Sequence, residues 1–76
     1  MPDEMTLSQI RKWRGLTQAK VAKRMRSQQS YVSKLERNQD PVLSTLSRYI
    51  KALGGRLEIY VSKDGNRIRI TDRIVG

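Results

Sequence analysis

Thr17-Gln18-Ala19-Lys20-Val21-Ala22-Lys23-Arg24-Met25-Arg26-Ser27-Gln28-Gln29-Ser30-Tyr31-Val32-Ser33-Lys34-Leu35-Glu36-Arg37 reads as two short helices joined by a tight turn. Thr17 is a good N-cap, because its hydroxyl can accept from an otherwise unpaired amide of the first turn. Val21, Ala22 and Met25 then form an apolar stripe, which predicts a helix over Gln18–Met25. After Arg26–Ser27 a second helix is predicted over Gln28–Arg37, with Tyr31, Val32 and Leu35 facing inward and Gln29, Ser30, Ser33, Lys34 and Arg37 polar. Ser27 is the better capping residue for it than Gln28.

The same rules extend in both directions. Upstream, Leu7, Ile10 and Trp13 recur at helical spacing within Thr6–Arg14, so Trp13 is expected in the core, and Gly15 stops the helix. Downstream, Asn38–Pro41 is a loop, and Leu46, Tyr49, Ile50 and Leu53 mark a fourth helix over Ser44–Leu53 that Gly54–Gly55 ends. The period then changes from helical to alternating. Leu57, Ile59 and Val61 alternate with polar residues in Arg56–Ser62, as do Ile68 and Ile70 in Arg67–Thr71, so each segment reads as a strand. Asp64-Gly65 between them suits a type I′ turn, whose central residues both need positive φ. That turn pairs Val61 with Ile68 and Ile59 with Ile70, and sets Tyr60 opposite Arg69. The expected fold is mainly α with a C-terminal β-hairpin. Residues 1–54 would form the helical domain and 55–76 an arm of the same compact unit.

Composition narrows the chemistry. The 76 residues are too few for more than one domain, and there is neither cysteine nor histidine, which removes disulfides, thiolate cages and the commonest general base and metal ligand. No cofactor, no metal and no enzymatic activity are expected. The Met1–Met5 start has no apolar run, and nowhere are there the roughly 18 apolar residues that a span requires, so a cytoplasmic protein without a membrane partner is expected. Sixteen Lys+Arg against seven Asp+Glu give a formal charge of +9. A polyanion is the natural partner of such a field. RNA is the weaker polyanion here, since only Tyr60 offers a strand aromatic for stacking bases.

Two short helices of this order have the dimensions of a DNA-reading pair, in which the first crosses the backbone and the second enters the major groove. The outer face of the second carries Gln29, Ser30, Ser33 and Lys34, which hydrogen-bond base edges or phosphates, and no acid occurs from Met5 to Leu35. An ordinary solvated helix would more often mix Glu with Lys.

Gly15-Leu16-Thr17-Gln18, Val21-Ala22, Gln29 to Arg37, Leu46 and Ala52-Leu53-Gly54 together resemble the Xre family of helix-turn-helix proteins, to which the phage repressors and Cro proteins belong. The resemblance implies a four-helix domain of the phage-repressor type that binds double-stranded operator DNA and regulates transcription. The ending Leu53-Gly54-Gly55-Arg56-Leu57-Glu58-Ile59 followed by a hairpin is similar to HigA-type antitoxins, which repress their own operon and bind a toxin. The hairpin could equally be the dimerisation arm of an ordinary repressor.

Carried onto this sequence, the resemblance sets Gln18 beside a phosphate, as a helix N-terminus also favours. It opens the recognition helix with Gln28, Gln29 and Ser30, of which Gln29 suits a bidentate contact with adenine. Lys34 would reach a guanine or a phosphate, and Ser33, Arg37 and Asn38 the backbone. Glu36 would repel phosphates unless an internal pair with a nearby Arg holds it. Arg26 stands where the family usually has glycine, at a turn position that wants positive φ, and could contact a phosphate there. Ser27 stands where an apolar residue is usual. Leu57, Ile59, Val61, Ile68 and Ile70 are the expected contact face for a homodimer or a toxin.

Overall fold

The computed structural model describes residues 4–71, and the ends of the expected domain and arm, 1–3 and 72–76, lie outside them. Four helices precede a hairpin: α1 (Leu7–Trp13), α2 (Gln18–Arg24), α3 (Gln29–Arg37), α4 (Leu43–Ala52), β1 (Tyr60–Lys63) and β2 (Asn66–Arg69). The chain divides after Pro41 into two compact units, so that α4 is grouped with the hairpin.

In the first unit α1 begins on a capping box. The Thr6 hydroxyl accepts from the Gln9 amide, and Gln9 Oε1 accepts from the Thr6 amide. Two orphan donors of the first turn are thereby satisfied. Helix α2 starts on Thr17 as expected, with the Lys20 amide donating to the Thr17 hydroxyl. Helices α2 and α3 pack on each other, and Val21, Ala22, Met25, Val32 and Leu35 are buried. Two expectations fail on residues read as core. Trp13 is 54% exposed and Tyr31 39%. At about 100° per residue, Trp13 lies about 120° round α1 from Leu7, whereas Arg11 lies only about 40° from it. Arg11, not Trp13, is the buried residue of α1.

The second unit holds α4 and the hairpin. Tyr49 and Ala52 are buried on α4 and Leu53 at its C-cap, and Leu46 and Ile50 are half-buried. The strands are shorter than the sequence suggests, but their antiparallel register is the expected one: Tyr60 faces Arg69 and Val61 faces Ile68. Beyond the ladder the Ile70 amide still donates to the Ile59 carbonyl at 2.8 Å, so the expected pairing continues past the strand ends. Asp64 and Gly65 have φ of 53° and 78°, the left-handed pair that a type I′ turn needs. On one hairpin face Arg67 lies 4.2 Å above the Tyr60 ring, a cation–π contact. The Tyr60 hydroxyl and Arg56 both donate to Glu58, each at 2.6 Å. The Tyr60 bond, then the Arg56 bond, holds the Glu58 carboxyl below its ordinary range, and the same bond raises the Tyr60 phenol. Val61 and Ile68 remain exposed.

Candidate nucleic-acid interface

The turn between α2 and α3 fixes how the second helix is presented. At the end of α2 the Arg26 amide donates to Lys23 and the Ser27 amide to Ala22, with Arg26 at φ 54°. This is a Schellman motif, which closes the last carbonyls of a helix through one left-handed residue. Helices α1 and α4 end in the same pattern, but there the left-handed residues are Gly15 and Gly54. In α2 an arginine takes that position, as the family resemblance implied. A Cβ-bearing residue is disfavoured there by on the order of 1 kcal/mol. The exposed Arg26 side chain stands at the turn that leads into α3.

Ser27 does not cap α3. Gln28 occupies the N-cap, with its carbonyl accepting from Tyr31 and Val32 and its side chain making no capping bond. The Ser27 hydroxyl is instead buried with no hydrogen-bond partner. The carboxamide of Gln28 is left exposed at the start of the helix.

Along α3, Gln29, Ser30, Lys34 and Arg37 are exposed and Ser33 is half-buried, while Val32 and Leu35 close the inner side. Asn38 is exposed just beyond the helix, with its Oδ1 accepting from the Asp40 amide at 2.9 Å. Gln18, at the start of α2, is half-buried.

The first unit is pinned by a pair that no apolar pattern could reveal. Arg11 Nε lies 2.6 Å from Glu36 Oε2 and its Nη2 3.3 Å from Oε1, both side chains being almost wholly buried. Arg11 Nη1 also donates to the Leu16 carbonyl at 2.9 Å, tying α1 to the loop before α2. The expectation that Glu36 would be held internally by an arginine is met. On its other side Glu36 Oε1 accepts from Gln18 Nε2 at 3.0 Å, and Gln18 Oε1 lies 3.5 Å from Gln29 Nε2. Gln18 and Gln29, expected as separate positioner and reader, are thus neighbours in one network. Tyr31 is also exposed on α3, about 160° round the helix from Gln29, and its residue type had hidden that exposure.

The expected partner face of the hairpin is divided in exposure: Val61 and Ile68 are open, whereas Leu57, Ile59 and Ile70 are half-buried. Among the described residues no group of acidic, cysteine or histidine side chains could hold a metal ion, and no helix is long and apolar enough to cross a membrane.

Comparison with known proteins agrees with this geometry. The helix-turn-helix family model HTH_3 matches residues 7–60. One solved structure, a HigA antitoxin described for induced DNA bending by unique dimerization, is similar at 38% identity and a TM-score of 0.81. The match covers 93% of this chain and 97% of that one. A second, the DNA-bound antitoxin HigA3, is similar at 39% identity and a TM-score of 0.78, covering 90% of this chain and 91% of that one. No curated protein matches the sequence.

Proposed function

Since the chain belongs to the HTH_3 helix-turn-helix family, we propose that it is a cytoplasmic, non-enzymatic transcriptional regulator that binds a palindromic operator as a homodimer and represses its own operon. Residues 1–54 serve as the DNA-binding module and 55–76 as the assembly arm. Helix α3 enters the major groove. Gln28, Gln29 and Ser30 meet base edges, and Lys34 meets a guanine or a phosphate. Gln18, Arg26, Ser33, Arg37 and Asn38 hold the backbone. The observation that carries this reading is the split of α3, with a buried Val32–Leu35 side and an exposed side free of acids.

A second reading is favoured by the solved relatives, both of which are antitoxins. On that reading the chain also covers a partner toxin, and the exposed apolar residues of the hairpin are where a toxin strand would add. Gel shifts on the chain's own promoter, with and without the product of the adjacent gene, test both. A shift by the chain alone, altered by the neighbouring product, is expected. The absence of any shift would end the operator reading, and a shift indifferent to the neighbour would end the antitoxin one.

A further inference from the structure

The ends of a glutamine carboxamide are alike in shape and opposite in hydrogen-bonding character, so something must decide which way a reading glutamine faces. A carboxylate only accepts. The Gln18 atom 3.0 Å from Glu36 Oε1 is therefore the nitrogen, and the Gln18 oxygen is left facing α3. That oxygen in turn calls for a donor, and the Gln29 nitrogen stands 3.5 Å away, at the long limit of such a bond. Arg11 holds the origin of this series in place by gripping Glu36 from the other side.

We propose that Glu36 is a specificity-determining positioning residue: it touches no base, yet through Gln18 it sets which end of the Gln29 carboxamide donates and which accepts in the major groove. The proposal rests on the reading of Gln29 as a base contact. With its nitrogen held toward Gln18, Gln29 has one N–H and its oxygen left, in fixed order, for a base edge. Donor to N7 and acceptor to the N6 amino group is the complement of adenine. Guanine carries the O6 acceptor where adenine carries the amino group, so the same order repels it. A reversed Gln29 would offer a donor toward guanine O6 but turn its oxygen onto N7, an acceptor in both purines, so the paired bond to adenine is lost and the advantage over guanine with it. Reversal also turns the Gln29 oxygen onto the Gln18 oxygen, and Gln18 cannot turn to relieve this while a carboxylate stands behind it.

The test uses the full chain and two variants. Glu36→Gln offers Gln18 either a donor or an acceptor, and Gln18→Met removes the relay while leaving the Arg11–Glu36 pair intact. The wild-type chain first selects duplexes from a randomised library, and the base whose identity Gln29→Ala ceases to read is then exchanged. In Glu36→Gln the preference for adenine over guanine there should fall on the order of tenfold. Affinity for a random duplex should move by less than the adenine preference does, because Gln18 is the one proposed backbone contact that the change disturbs. Gln18→Met should lose the same preference on top of a uniform weakening. A folded Glu36→Gln or Gln18→Met that still prefers adenine as the wild type does would overturn the proposal, and Gln18→Met decides it if Glu36→Gln does not fold. Side-chain amide NMR of the free 15N-labelled chain supplies a readout without DNA. On Glu36→Gln the Gln18 amide signals should move and those of Gln29 should follow, and stationary Gln29 signals would sink the relay. If the wild type selects no sequence, the base-contact reading of Gln29 falls on its own, and the NMR result alone decides whether Glu36 orients the two amides.

Discussion

Arg11 on α1 and Glu36 on α3 are 25 positions apart in sequence, yet their side chains meet at 2.6 Å inside the first unit. Removing one member strands the other as a buried unpaired charge, which costs about 3–5 kcal/mol, whereas replacing both with apolar residues is often neutral or better. Arg11→Met is therefore expected to unfold the unit or lower its stability by about that much. Arg11→Met/Glu36→Leu should recover most of the loss in urea denaturation. A double variant no more stable than the single one would show that the pair acts by something other than charge burial.

Arg26 makes the opposite kind of compromise. Its φ of 54° lies where glycine is at ease, so Arg26→Gly should raise stability by up to about 1 kcal/mol. The same change removes a cation from the turn before α3 and should weaken DNA binding at low salt. Thermal unfolding and fluorescence anisotropy on one sample check both signs. A variant less stable than wild type would mean that the arginine side chain packs usefully in the turn.

Reader and positioner should differ in kind. Gln29→Ala is expected to relax preference at one base pair and to weaken the selected duplex by about 1–3 kcal/mol, while Arg37→Ala should weaken every duplex alike. Competition binding against single-base variants distinguishes them. Equal losses on selected and random duplexes for both would remove the base-reading role of Gln29.

The formal charge of +9 predicts steep dependence on salt. If about six phosphates are neutralised per chain, log affinity should fall against log salt with a slope near −5. Titrations between low and physiological salt measure it directly, and a slope near zero would exclude phosphate contacts as the main source of affinity.

For assembly, the exposed pair Val61 and Ile68 on the hairpin is decisive. A two-stranded hairpin with an open apolar face needs a supporting surface, and a two-fold dimer would set two recognition helices on half-sites about one helical turn apart. Val61→Asp/Ile68→Asp is expected to convert a dimer to a monomer in sedimentation at tens of micromolar while leaving the helical circular dichroism intact. A wild-type chain already monomeric there, or a double variant still dimeric, would place the dimer contact elsewhere or nowhere.

The hairpin was legible because turn chemistry sets register: Asp64-Gly65 admits one close pairing, and that pairing sets Val61 opposite Ile68. Thr17 was legible for the same local reason, whereas the left-handed Arg26 was implied by the resemblance to a family that usually has glycine at that turn position. Strand ends were not, since backbone pairing can thin out where side-chain alternation continues. The exchange of Trp13 for Arg11 in the buried side of α1 was hidden because periodicity counts apolar residues only. A buried arginine is recognisable only with its partner, and Glu36 lies far along the chain. In the site, the polar face of α3 could be read from residue type and spacing. The link from Glu36 through Gln18 to Gln29 depends on three side-chain rotamers, and no pattern in the sequence encodes those.

The helices of the first unit have seven, seven and nine residues. Isolated helices shorter than about 12–15 residues are marginal in water, because nucleation is unfavourable and few bonds follow it. Helix α3 thus has no appreciable existence apart from the closed unit around Val21 and Val32. On the proposed reading of α3 as the DNA reader, the fraction of molecules able to read DNA follows the fraction in which this unit is folded. By mass action any duplex that binds only the closed state draws the unit toward it, by RT ln(1 + [L]/Kd). For so small a core the operator is a folding ligand as much as a target, and an unoccupied chain is the form most open to proteolysis.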